Sequence, residues 1–167
     1  MKITTKNFYE QIRCDVCYLS LSVPRGLALI INNFKFKHLC QRKGAEKDGK
    51  NLKRLVKSMG YHLWEKLKKT ENLSFEKMKK IIASFANDDI HRTYHSVLFF
   101  ISSHGCSTGI AGVNSDKYEK NMVSERWIIE QFGKSKSAIG LPKLLFFQAC
   151  RGSERDLGSS KYKRFLK

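Results

Sequence analysis

Short apolar runs alternate with stretches of helical periodicity along this chain, and the alternation predicts its architecture. Leu27-Ala-Leu-Ile-Ile31, Ser96-Val-Leu-Phe-Phe-Ile-Ser102 and the segment 143–149, Lys-Leu-Leu-Phe-Phe-Gln-Ala, contain no Gly or Pro. They read as buried strands of the parallel type. Between them, Ala45–Tyr61 carries Leu52, Leu55, Val56 and Met59 at helical spacing, with Gly60 as its stop signal. A second helix follows Ser74, with Phe75, Met78, Ile81, Ile82 and Phe85 as its stripe, and Asn87-Asp-Asp89 closes it. A third runs over Val123–Phe132, with Val123, Trp127, Ile128 and Phe132 on one face and Gly133 at its end. His62–Leu67 alternates as an outer strand would, and the glycine-rich stretch 105–112 predicts a hairpin. The resulting order, β-α-β-α-β-hairpin-α-β, implies a doubly wound, mostly parallel sheet with helices on both faces, a three-layer α/β/α fold.

Residues 1–23 have no steady period and read as an arm with a short strand at Val16–Leu21, before Pro24-Arg-Gly26 punctuates the chain. A length of 167 residues favours one core. No apolar run approaches the roughly 18 residues a membrane span needs, and the first residues lack the apolar centre of a secretory signal. Five cysteines, an odd number, then point to reduced thiols and a cytoplasmic protein. Cys14-Asp-Val-Cys17 has no second pair to complete a metal site, so neither metal nor cofactor is expected. The net charge of +17, from 32 Lys and Arg against 15 Asp and Glu, attracts anions. The lysines are nevertheless spread as singles and pairs, without interleaved aromatics, which predicts solvated helix faces and makes nucleic acid an unlikely partner.

The chemistry concentrates at the end of the last strand, Gln148-Ala-Cys-Arg-Gly152. Ligands in α/β folds gather at the carboxyl ends of strands. The strand at 96–102 ends in Ser103-His104-Gly105, 46 residues before Cys150. If the two strands are neighbours, Cys150 and His104 meet in adjacent loops. A thiolate is the nucleophilic form of cysteine, and an imidazole stabilises it and handles the leaving-group proton. The backbone N–H groups of Gly105 and Cys150 are candidates for holding an oxyanion. His38, His62, His91 and His95 read as packing or surface residues, and Cys14, Cys17, Cys40 and Cys106 receive no role.

The pentapeptide Gln148–Gly152 with its upstream His104 resembles the signature of the caspase family. The resemblance extends over about residues 18–158. Tyr18 with Pro24–Asn33 is similar to the family's first-strand block. Arg42-Lys-Gly-Ala-Glu-Lys-Asp48 resembles its pocket loop, with Ala45 in place of a hydroxyl residue, and the pattern after Cys150 continues through Asp156 and Gly158. The resemblance implies an arm at 1–17, a large-subunit domain at 18–158 and a basic tail at 159–167. It implies a cysteine endopeptidase cutting after aspartate in regulated proteolysis such as apoptosis. Cys150 is then the nucleophile, His104 the acid/base, Gly105 an oxyanion-hole donor, and Arg42 and Gln148 walls of the aspartate pocket. The expected partners are peptide substrates with Asp at the cleaved position, and a caspase small subunit or a full-length caspase; no membrane is expected. Ending some fifteen residues past Gly152, the chain is expected to hold the large-subunit portion only, needing a small subunit for activity. The alternative is a catalytically incompetent regulator that binds full-length caspases. In either case the strand at 143–149 presents an edge prone to association.

Overall fold

The computed structural model describes residues 23–66, 69–117 and 119–151. In chain order the elements are β1 (Gly26–Asn32), α1 (Ala45–Ser58), β2 (Tyr61–Leu63), α2 (Phe75–Ala86), a 3-10 turn (Asp89–Thr93) and β3 (Val97–Ser102). Then follow β4 (Gly105–Cys106), β5 (Gly109–Ala111), β6 (Met122–Val123), α3 (Glu125–Gly133) and β7 (Lys143–Gln148). The main sheet has the order β2-β1-β3-β7 with every neighbouring pair parallel, and β4-β5-β6 form a small antiparallel sheet that includes the expected hairpin. The arm, the basic tail, the strand expected at 16–21, Tyr18, both cysteines of the CxxC and the positions Gly152, Asp156 and Gly158 lie outside the described residues.

Alternation along β1 and β3 explains the three layers. Leu27, Leu29, Ile31, Val97, Phe99 and Ile101 face α2 and α3, where Met78, Ile82, Phe85, Ile128 and Phe132 complete a buried cluster. Ala28, Ile30 and Leu98 face the other way and meet Val56 and Leu52 of α1. Burying each large side chain contributes about 1.5–3 kcal/mol, so the two-helix face carries most of the hydrophobic stabilisation.

Two helices depart from the sequence reading. The α1 contact uses Ala45, Gly49, Leu52 and Val56, whereas Leu55 is 53% exposed and Met59 is also exposed. Gly49 lets the Asn32 amide pack against α1: a Cβ there would lie 2.5 Å from Asn32 Nδ2, which donates to Ala45 O at 2.7 Å. The helix α3 starts two residues later than its apolar stripe, because Val123 belongs to β6 and the Ser124 hydroxyl accepts the Trp127 N–H at 3.3 Å as the N-cap. The outer strand β2 is also shorter than His62–Leu67. Beyond Leu63 the Trp64 indole enters the core against Phe85, donating to Asp88 at 2.7 Å. Burial pushes the Asp88 carboxyl up, but hydrogen bonds from Trp64, Lys66 and the Ile90 N–H outweigh it and hold the group below its ordinary value.

Asn33, fully buried just past β1, ties three segments together. Its amide donates to the carbonyls of Leu73 (3.4 Å) and Ala111 (3.2 Å), and its oxygen accepts the Leu73 N–H at 2.8 Å. Asn33→Ala leaves buried backbone groups unpaired and is expected to lose about 2–4 kcal/mol in a denaturant titration. His91 is also buried. Its Nε2 donates to Phe85 O at 2.6 Å and its Nδ1 has no partner among the described residues. Burial lowers its pKa, the Phe85 bond and Asp88 oppose that shift, and Lys143 adds to it. Since the unfolded histidine binds the proton more readily, the contribution is complete above its unfolded pKa of roughly 6.5 and is lost as pH falls below it. The urea midpoint should therefore drop between pH 7.5 and pH 5.5, and His91→Gln should flatten that drop.

Candidate active site

The parallel registers place Asn32 beside Ser102 and Ser102 beside Gln148 at the carboxyl ends of β1, β3 and β7. This is also where the chain order of the sheet reverses, between β1 and β3, the position at which open α/β sheets bind ligands. Two bonds hold the segment after β3: the Ser103 N–H donates to Gln148 O at 3.2 Å, and the Ser103 hydroxyl donates to Ala111 O at 2.6 Å.

His104 follows at once. Its ring lies against Phe36, with centroids 4.6 Å apart, and its Nε2 is 2.8 Å from the Cys40 carbonyl oxygen. A carbonyl only accepts, so Nε2 carries the proton, and the Nδ1 of the neutral ring is left as the acceptor. Cys40 Sγ is 3.6 Å from the same Nε2. The sequence reading gave Cys40 and Phe36 no part in the site. Nothing in the pattern of the loop after β1 marks them, because only its folding back over β3 brings them to the imidazole.

Gly105 and Cys150 are in close approach. A Cβ on Gly105 would lie 2.5 Å from Cys150 O and 2.9 Å from Ala149 Cβ. The Ala111 N–H bonds His104 O at 2.9 Å while Gly105 stands opposite Ile110. By the alternation of an antiparallel ladder, that turns the Gly105 N–H away from β5 and leaves it available as a donor. Cys150 is exposed, and Arg151 is anchored to Glu125 at 3.3 Å.

Arg42 sits behind this edge. Its backbone N–H bonds Phe34 O, Nη1 donates to Asn33 O at 2.7 Å and Nη2 donates to Ser102 Oγ at 2.8 Å. Those bonds use two of the five guanidinium N–H groups and leave three for an incoming anion. Burial pulls the Arg42 pKa down, while Asp48 and Cys150 pull it up; a guanidinium stays charged under such shifts. Arg42, Asp48, Ser102 and Gln148 border one cavity of about 310 Å³. Arg42 and Gln148 thus border one pocket, and Gly105 leaves no room for a side chain beside the Cys150 carbonyl. Among the described residues no group of three or more His, Cys, Asp or Glu side chains is placed to hold a metal ion.

A family model for the caspase domain matches residues 25–164. Cell death protein 3 of Caenorhabditis remanei is 37% identical over 141 residues, which covers 84% of this chain and 26% of that protein. Caspase-12 of Rattus norvegicus is 36% identical over 128 residues, covering 75% of this chain and 30% of its own length. Caspase-1 of the same rat is 34% identical over 131 residues, covering 77% and 32% respectively. The chain therefore spans about a quarter to a third of the length of these relatives.

The Gly105 contact gives a direct test of the geometry. Gly105→Ala must push the 149–151 segment away, so the rate of Cys150 alkylation by iodoacetamide should change several-fold, measured in a background where the other cysteines are Ser. Circular dichroism should stay at wild type.

Proposed function

The chain belongs to the caspase family, and from that membership we propose that it is the large-subunit part of a cysteine endopeptidase that cuts after aspartate. The observation that carries the reading is the close approach of Gly105 to the Cys150 backbone. It supports a site in which one strand-end loop supplies the nucleophile and the other the proton carrier and an oxyanion donor. Cys150 passes its thiol proton to His104 Nδ1, its Sγ attacks the scissile carbonyl carbon, and the N–H groups of Gly105 and Cys150 bind the oxyanion that forms. As the tetrahedral intermediate collapses to a thioester, His104 gives a proton to the departing amine. Water, deprotonated by His104, then attacks the thioester and regenerates the thiol. The bond from Nε2 to Cys40 O supports this assignment, because it orients the ring with Nδ1 as the proton-accepting atom.

The pocket bordered by Arg42 and Gln148 takes the aspartate side chain. A guanidinium offers a carboxylate two directed, charge-assisted bonds, and the three uncommitted donors of Arg42 fit that task. The presence of Asp48 on the same pocket tempers its charge, which supports a requirement for a second cation from a partner subunit. One relative bears the name cell death protein 3, in keeping with a role in regulated proteolysis such as apoptosis.

A second reading, a catalytically incompetent regulator that binds full-length caspases, is favoured by one feature. The face of β7 on the α1 side exposes Leu144 (39%) and Phe146 (47%), and β7 is the outermost strand of the described sheet. Both readings use that surface for association. They separate in one experiment: hydrolysis of a fluorogenic peptide ending in aspartate, with and without a caspase small subunit added in trans, beside the Cys150→Ser variant. The endopeptidase reading expects activity that depends on Cys150 and rises with the small subunit. Silence under every condition, with binding to full-length caspases retained, establishes the regulator. In the active case Arg42→Gln should lower kcat/KM at least ~100-fold, about 3 kcal/mol of lost carboxylate recognition.

A further inference from the structure

The surplus of positive charge has no use in the site chemistry. On the solvent side of α1 the structure gathers part of it into a line. Lys47, Lys50, Arg54 and Lys57 are all exposed and follow one another at intervals of three, four and three residues. At helical pitch that spacing confines them to a stripe about 80° wide and about 15 Å long. Acidic neighbours do little to neutralise it. Glu46 pairs with Lys50 at 2.9 Å, but both side chains are more than half exposed, and such a pair contributes little and yields to a stronger anion. Asp48 lies on the Arg42 cavity, and Lys53, off the stripe, is engaged with Glu71 at 2.6 Å. No ion pair joins Lys47, Arg54 or Lys57 to an acidic side chain among the described residues.

We propose that this face of α1 binds the phosphate backbone of duplex nucleic acid without reading its sequence. The stripe carries no aromatic side chain on which an unpaired base would stack, which disfavours single strands. Lys57 also borders a cavity with Tyr61 and Ile90, but the stripe itself is an open helix face, on which charge density decides the partner. A duplex presents one phosphate per roughly 1.7 Å and releases condensed counterions on binding. An acidic polypeptide, even with every residue charged, presents one carboxylate per roughly 3.3 Å of extended chain. Lys and Arg at this spacing act on phosphates as positioning contacts, not as base readers. Single residues spaced along a sequence do not disclose such an alignment; the helix register creates it.

The test uses the full chain and a fluorescein-labelled duplex of about 20 base pairs, followed by anisotropy as salt rises. Four phosphate contacts predict a log–log slope near −3.6 and a loss of affinity of about a hundredfold between roughly 50 and 200 mM salt. The triple variant Lys47→Gln, Arg54→Gln, Lys57→Gln keeps helix-forming residues and should bind at least tenfold more weakly, with a slope shallower by about 2.7. A control, Lys77→Gln, Lys80→Gln, Lys136→Gln, removes the same charge elsewhere and should stay within about twofold of wild type. Equal losses in the two variants, no binding at the lowest salt, or displacement of the duplex by poly-glutamate as readily as by unlabelled duplex each overturn the proposal. If the triple variant loses its helical circular dichroism, Arg54→Gln alone decides, with a slope change of about 0.9 expected and none overturning the idea.

Discussion

The register of three parallel strands is the constraint on which the rest of this molecule depends. Asn32, Ser102 and Gln148 stand in line because β1, β3 and β7 pair without offset at their ends. A slip of one residue would exchange the faces of a strand, burying Phe100 where Phe99 belongs and turning Phe99 out of the two-helix core. The hydrophobic alternation therefore fixes the register, and the register fixes which residues begin the loops. His104 and Cys150 each lie two residues past the last paired position of their strand, Ser102 and Gln148. The approach of Gly105 to the Cys150 carbonyl follows from that register.

Polar groups at the strand ends convert that register into a rigid edge. Asn33 reaches into two later segments, Arg42 crosses from Asn33 O to the Ser102 hydroxyl, and Ser103 spans from Gln148 O to Ala111 O. These bonds tie the residues just past β1 and β3 to the loop before α2, to β5 and to the end of β7, pairing backbone groups that would otherwise stand open there. The same bonds orient the groups of the site. Arg42 is held by two donors and keeps three, and the His104 ring is held by Phe36 and Cys40 O. Preorganisation here comes from satisfying backbone groups, so stability and site geometry share the same contacts.

The two faces of the sheet are unequal. Two helices and a 3-10 turn cover one face, while α1 covers only the β1 side of the other and leaves Leu144 and Phe146 exposed on β7. Phe146 stacks on Phe100 at 6.1 Å, so the exposed ring extends the apolar surface on that side of the sheet. An apolar edge beside a strongly basic helix is a surface suited to association through two different forces: one short-ranged and salt-insensitive, the other screened within about 8–10 Å at physiological salt.

By itself the sequence determined the α/β order, the parallel strands at 26–32, 97–102 and 143–148, the helices near 45–58, 75–86 and 125–133, and the caspase family. These are legible because burial imposes a period of two or of 3.6 on side-chain polarity, and because the pentapeptide at 148–152 is specific. The sequence also read the last strand as buried, whereas β7 is the outer strand of the described sheet and has no fully buried residue. Only the tertiary structure decided which apolar positions of α1 are buried: Leu55 and Val56 are adjacent and both hydrophobic, but only Val56 lies on the face that meets Ala28, Ile30 and Leu98. Only it decided that β2 stops at Leu63, where the Trp64 indole finds Asp88, and that Phe36 and Cys40 flank the imidazole. Those outcomes depend on contacts between residues tens of positions apart, such as the 64 that separate Cys40 from His104. Local periodicity carries no record of such contacts, because it reports what a residue avoids or seeks in water, not which distant group it will meet.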